Sequence, residues 1–378
     1  QGYTLRRKKS YPRQFAAKLL TNLLSLKHKT GQMFVSGFEG TSLNSRTEKL
    51  ISEQGIGGLI LFERNFENPK QLKSLIEDLQ SLTAPNSPPL FISVDQEGGR
   101  VTRLKKNFTQ FPPMSCLGKA GSDDLAYRFG MAMGKEMRAV GINMDYAPVL
   151  DVHSNPENPI IGERAISSDP DVVARLGCKI IQGFQDAGTL PVGKHFPGHG
   201  DTSQDSHLIL PRVERNKESL EQIELVPFSK AFQKGLDVIM TAHVVYPAWD
   251  KNSAATFSKP ILRDLLRKKM HFEGLVMSDD LEMQAVTQTP DEIPALGINA
   301  GIDLFLICHD LSKVTKLQDT LIKEIETGKI PYDNINQSLN RIMKAKQKLT
   351  GFMKNVMNLE QILEENKKLA KEMRTHLV

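Results

Sequence analysis

Eight short apolar runs, most of them separated by stretches with helical spacing, constrain the fold more than any other feature of this chain. They are Gln32–Gly37, Gly57–Phe62, Pro89–Asp95, Gly141–Val149, Pro191–Phe196, Val238–Val244, Gly274–Ser278 and Ile302–Cys308. None alternates cleanly between apolar and polar residues. A strand buried on both faces has no polar face to display, which is the condition of strands in a parallel sheet. Helical spacing runs through Pro69–Ser81, Asp123–Val140, Asp169–Ala187, Lys217–Lys234, Lys259–Lys269 and Leu311–Thr327, and Gly141, Gly188 and Gly235 follow three of these as C-terminal caps. The alternation predicts an α/β fold, a (β/α)8 TIM barrel in a single domain over residues 32–350. A doubly wound open sheet is the alternative, but no GxGxxG fingerprint or P-loop supports a nucleotide-binding version. Residues 1–31 read as a basic arm or leading helix, Asp333–Leu349 as a helix closing the barrel, and residues 351–378 as a helical C-terminal tail.

Charge narrows the partners. The formal net charge is +5, yet residues 1–38 alone hold Arg6, Arg7, Lys8, Lys9, Arg13, Lys18, Lys27 and Lys29, with no acid before Glu39. The basic excess is therefore a terminal arm, not a nucleic-acid-binding face. No apolar run approaches the roughly 20 residues that cross a bilayer, so no membrane span is expected. Cys116, Cys178 and Cys308 are far apart and form no CxxC. They predict small buried residues rather than a disulfide framework or zinc ribbon, and hence a reducing, cytoplasmic setting. No signal peptide is visible, although a first residue of Gln leaves room for a removed leader.

In a (β/α)8 barrel the site lies at the C-terminal ends of the strands. Here the third run ends in Asp95-Gln-Glu97-Gly-Gly-Arg100, followed by Arg103. The fourth leads through Asp145 and Asp151 to Glu163-Arg164, and the fifth ends in Lys194-His195. The sixth ends near His243, and the seventh in Asp279-Asp280. Turns and caps recruit Asp too, but five consecutive strand ends carrying ionisable groups predict a shared pocket. The fifth run also opens into Pro197-Gly-His199-Gly-Asp201-Thr-Ser-Gln-Asp205-Ser-His207, a polar, glycine-bearing loop that no core would recruit.

Residue types sharpen the reading. In extended backbone neighbouring side chains point oppositely, so only one of Asp279 and Asp280 faces the barrel mouth, and Asp280 suits a helix N-cap. Asp279 fits a nucleophile, a metal ligand or a hydroxyl anchor. Asp205-x-His207 suggests a carboxylate–imidazole dyad able to give and take a proton near neutrality, or else an Asx-stabilised turn. Lys194 closes a buried strand and requires a polar partner. His195 taken alone fits a core residue as well as a ligand. A metal-dependent hydrolase could instead draw on His195, His199, Asp201, Asp205 and His207.

Assembled, these blocks resemble the β-N-acetylglucosaminidases of glycoside hydrolase family 3. Lys194-His-Phe-Pro-Gly-His-Gly-Asp201 through Asp205-Ser-His207 carries the signature, joined by Val94-Asp95-Gln-Glu-Gly-Gly-Arg-Val-Thr-Arg103, Tyr146-Ala-Pro-Val-Leu-Asp151-Val and Ser278-Asp279-Asp280-Leu-x-Met283. The resemblance covers roughly Gln32 to Thr350. It implies a retaining exo-β-N-acetylglucosaminidase that needs no metal or other cofactor and acts on peptidoglycan fragments, N-acetylglucosamine-containing muropeptides; a monomer is expected. Asp279 would be the nucleophile. His207 would be general acid and then base, held by Asp205, in place of the usual second carboxylate. Asp95 would accept from the sugar's 4- or 6-hydroxyl, while Arg103, Arg164, Lys194 and His195 would hold the remaining hydroxyls and the N-acetyl group. The family's Gly-Asp-Arg-Ser-Phe stands here as Gly162-Glu163-Arg164-Ala165-Ile166. A catalytically silent glycan-binding barrel is the remaining alternative.

Overall fold

The computed structural model describes residues 24–83, 87–203, 210–350 and 357–377. The eight apolar runs form eight strands: β1 (Phe34–Ser36), β2 (Gly58–Leu61), β3 (Phe91–Val94), β4 (Met144–Asp145), β5 (Leu190–Phe196), β6 (Val238–Thr241), β7 (Leu275–Asp280) and β8 (Leu304–Ile307). Each pairs in parallel with its sequence neighbours, and β8 pairs back onto β1 through Phe34–Phe305, so the sheet closes. Closure leaves no free edge. Nearly every strand residue is buried, as strands covered inside and out must be. The chain is a (β/α)8 barrel.

The helices begin where side chains can replace missing backbone acceptors. Asn68 Oδ1 accepts from the Gln71 N–H at 3.0 Å and Asp169 Oδ1 from the Asp171 N–H at 2.8 Å, each followed by a proline in the first helical turn. Gly188 ends the Pro170–Ala187 helix at φ +83°, a left-handed conformation that a Cβ would oppose.

Several expected boundaries move. The fourth run is a regular strand only at Met144–Asp145 rather than over Gly141–Val149; beyond it Pro148 has no N–H to give the ladder, and pairing with β5 resumes as an isolated bridge between Val149 and Lys194. The expected helix Lys217–Lys234 is two helices, Lys217–Gln222 and Leu225–Gln233. Pro227 is tolerated in the first turn of the second helix but would break one continuous from 217. Three helices, Ser45–Ser52, Ser115–Ala120 and Ile293–Ala300, lie in segments with no helical expectation. Hairpins Gln96–Gly98/Val101–Thr102 and Val245–Tyr246/Asp250–Ala254 extend the third and sixth strand ends.

The helix Tyr332–Thr350 covers the N-terminal end of the barrel. Its buried Lys346 donates to Gln32 Oε1 at 2.8 Å and to the Gly57 carbonyl at 2.7 Å. The Leu359–Arg374 helix docks on the Asp123–Ala139 helix. Asn366 donates to the Ala132 carbonyl at 3.1 Å, and Ile362, Leu369 and Met373 are buried beneath it. Of the basic arm, residues 1–23 fall outside the described residues. Among the described residues no helix is long and apolar enough to cross a membrane.

Candidate active site

The C-terminal ends of the strands enclose a cavity of about 400 Å³. Asp95, Arg103, Arg164, Lys194, His195 and Asp279, six of the eight residues singled out from the sequence, line it together. The other two, Asp205 and His207, lie outside the described residues.

A charge lattice forms one wall. Lys194, at the end of β5, is 2% exposed, and its Nζ donates to Asp95 Oδ1 at 2.8 Å and meets Glu97 Oε1 at 2.6 Å. Arg164 grips the same Glu97 with two bonds of 2.8 Å, from Nε and Nη2. Burial alone would raise the Glu97 carboxyl. The Arg164 and Lys194 cations outweigh it and hold Glu97 far below the ordinary range. Burial likewise favours neutral Lys194, but Asp95 and Glu97 keep its ammonium charged. Arg103 stands 3.6 Å from Asp95 Oδ2, and its buried Nε has no partner among the described residues. The sequence alone gives Glu97 no role. Its signal is a carboxylate three residues past the end of β3 in a barrel whose Arg164 needs an anion.

A second group orients the imidazoles. Asp151, fully buried, accepts from the His195 N–H at 3.0 Å, from the His199 N–H at 2.7 Å, and from His195 Nδ1 at 2.7 Å. Burial raises this carboxyl, the His195 and His199 rings lower it, and the balance lies below the ordinary value. An ionised carboxylate only accepts, so His195 Nδ1 is the donor in that contact, and Nε2 is left to face the cavity. His199 is depressed to about 4, first by burial and then by the neighbouring His195 ring.

β7 presents the two adjacent carboxylates differently. Asp280 Oδ1 accepts from the Glu282 N–H at 3.1 Å and the Cys308 N–H at 3.3 Å, a turn-forming role, and burial lifts its carboxyl to about 6. Asp279 accepts from the Asp280 N–H at 2.8 Å. Burial pushes Asp279 up, but the His195 and His243 rings, the Asp280 N–H and the Lys194 ammonium pull harder, leaving it below its ordinary value. It is a ready anion opposite a wall of hydrogen-bond donors. His243 is buried and bonds the Asp280 carbonyl through Nε2 at 3.0 Å, which fixes the end of β7. Among the described residues no group of three or more His, Cys, Asp or Glu is arranged to hold a metal ion.

Comparison with known proteins bears on this geometry. Residues 25–345 match the profile of the glycosyl hydrolase family 3 N-terminal domain. The chain belongs to glycoside hydrolase family 3. Within the family it is 38% identical over 338 residues to β-hexosaminidase A of Pseudoalteromonas piscicida, covering 82% of this chain and 56% of that protein. The chain thus spans little more than half of that relative. It is 37% identical over 316 residues to a β-hexosaminidase of Nitrosomonas eutropha, covering 80% of this chain and 88% of that one. A family 3 β-N-acetylglucosaminidase structure from Paenibacillus sp. superimposes with a TM-score of 0.90 at 39% identity, covering 93% of this chain and 69% of that one. The chain is a family 3 glycoside hydrolase with relatives of the β-hexosaminidase type.

Proposed function

We propose that the chain is a retaining exo-β-N-acetylglucosaminidase that removes terminal N-acetylglucosamine from peptidoglycan fragments. The observation that carries this reading is the ionised Asp279 facing, across one cavity, the donors and acceptors of Lys194, Asp95, Arg164 and His195. At about 400 Å³ the cavity sits toward the small end of the roughly 300–1,000 Å³ typical of ligand pockets, which suits one sugar ring with its acetamide.

In the first step Asp279 attacks the anomeric carbon, and its Oδ–C1 bond forms as the bond to the leaving oxygen breaks. His207, held by Asp205, gives that oxygen its proton. In the second step His207 takes a proton from water, the water oxygen attacks C1, and Asp279 departs as carboxylate. Asp95 receives the 4- or 6-hydroxyl. Arg103, Arg164, Lys194 and His195 bind the remaining hydroxyls and the acetamide. Lattice rigidity favours this, because positioning residues already paired with one another lose little freedom on binding.

The three cysteines are unpaired, in keeping with action in the cytoplasm. Large exposed apolar side chains among the described residues are scattered, at Leu296, Tyr332 and Leu377, in keeping with a monomer. The test of retention is proton NMR of the first product formed from a nitrophenyl N-acetylglucosaminide. Initial β-anomer supports the double displacement, and initial α-anomer excludes it.

A further inference from the structure

The break between the helices Lys217–Gln222 and Leu225–Gln233 places an acid where an acid is costly. Glu224 is 1% exposed. Its Oε1 accepts from Ser154 Oγ at 2.9 Å, while Oε2 is buried with no partner among the described residues. The side chain lies directly beneath the first turn of the loop that leaves β5. Gly198 there has φ +138°, and a Cβ added to it would stand 2.5 Å from Glu224 Oε2. The rest of that turn is fixed on every side. Tyr246 Oη donates to the Gly198 carbonyl, Asn158 donates to the His199 and Gly200 carbonyls at 2.9 and 3.0 Å, and Asp201 pairs with Arg215 at 2.7 Å.

We propose that Glu224 is a positioning residue for proton transfer, its buried carboxyl group seating the Pro197–Ser203 turn from which the segment bearing Asp205 and His207 departs. The proposal rests on the assignment of His207 as the acid. The charged and titratable groups facing Glu224 are Asp151 from the loop after β4, Asp201 from the turn itself, Arg215 ahead of the Lys217–Gln222 helix, and Tyr246 from the hairpin after β6. Two are anions, one is a cation, and the phenol is neutral. A third anion has one cation to share, so the acid form fits the site better than the carboxylate. Burial, reinforced by Asp151 and Asp201 and opposed by Ser154 and Arg215, lifts the group to about 8. At neutral pH Glu224 is then an uncharged carboxylic acid packed under the turn. Above pH 8 it becomes a buried anion pressed against the Gly198 backbone.

The test compares kcat/KM of wild type, Glu224→Gln, Glu224→Ala and His207→Ala on a nitrophenyl N-acetylglucosaminide and on a β-1,4-linked N-acetylglucosamine disaccharide. The disaccharide needs a proton donor far more than the nitrophenolate does. Glu224→Ala is expected to lose about tenfold or more on the disaccharide and under threefold on the aryl glycoside, following the pattern of His207→Ala. Glu224→Gln, an uncharged replacement of the same shape, is expected to restore the disaccharide rate and to carry it beyond pH 8, where wild type declines. Equal losses of Glu224→Ala on both substrates, while His207→Ala shows the split, would overturn the role of Glu224 and leave the acid assignment standing. No split in His207→Ala would overturn the acid assignment and this proposal with it. If Glu224→Ala fails to fold, the pH profile decides: a Glu224→Gln profile superimposable on wild type above pH 8 refutes the proposal.

Discussion

Replacing Glu97 with glutamine tests whether the charge lattice works as a unit. The side chain is 1% exposed and accepts three charge-assisted contacts, two from Arg164 and one from Lys194. Glutamine keeps the shape but offers one acceptor atom and turns two N–H donors toward a cation. Each contact to a charged group contributes about 1.5–3 kcal/mol, and breaking a buried ion pair from one side costs about 3–5 kcal/mol. We take about 3–5 kcal/mol as the expected loss in urea unfolding at pH 7. Arg164 loses one of its two bonds to residue 97 and keeps the Ile160 carbonyl at 3.2 Å, and Lys194 keeps Asp95 at 2.8 Å. The catalytic loss is therefore partial, about 10–100-fold in kcat/KM on a nitrophenyl N-acetylglucosaminide. The sign with pH follows from Glu97 titrating lower in the fold than its unfolded value of 4.5. Its stabilisation is complete above that value and drains as the pH falls toward the native one. The gap between wild type and Glu97→Gln should be constant from neutrality down to about pH 5 and narrow only in stronger acid. Combining Glu97→Gln with Lys194→Met removes one charge of each sign, so the double variant should be less damaged than the sum of the singles. A Glu97→Gln protein as stable and active as wild type, or strictly additive losses, would refute the reasoning.

Three further outcomes follow from the site. Asp279→Asn should abolish turnover of aryl and natural glycosides alike while lowering the unfolding free energy at pH 7 by about 1 kcal/mol, since the fold holds Asp279 below its ordinary value and so favours the carboxylate; normal turnover would take Asp279 out of the reaction. Asp151→Asn leaves His195 Nδ1 and two backbone N–H groups facing an amide, so kcat/KM should fall about 10-fold or more and unfolding should become easier by about 2 kcal/mol; an unchanged KM and kcat would mean that the ring needs no such hold. Exhaustive chelation should leave activity on the aryl glycoside intact, and its loss with recovery on adding zinc would restore the metal-dependent reading.

How far the sequence discloses this molecule depends on what each segment must satisfy. The barrel strands were legible because burial on both faces forces unbroken apolar runs, as in Leu59-Ile60-Leu61, all fully buried. The Ser45–Ser52 helix was not, because eight residues with Thr47, Leu50 and Ile51 buried are too few to establish a period. Ile293–Ala300 hides for the opposite reason: it is apolar on most sides and shows no polar face. Among site residues, Lys194 declared itself as a lysine on a strand that had to be buried. Glu97 did not, since its anionic role exists only once Arg164, 67 positions later, folds back onto it. Glu224 was harder still, because a glutamate within a helical stretch reads as solvent-facing until the chain breaks beneath the Gly198 turn.

The central claim is a covalent bond between Asp279 and the sugar, and it can be weighed directly. The protein is incubated with a 5-fluoro N-acetylglucosaminyl donor carrying a good leaving group, digested, and the labelled peptide sequenced by mass spectrometry. The account predicts one added glycosyl mass, on the carboxyl of Asp279 and absent from Asp279→Asn. A label on any other residue, or rapid turnover of a normal substrate by a protein that never acquires one, would contradict it.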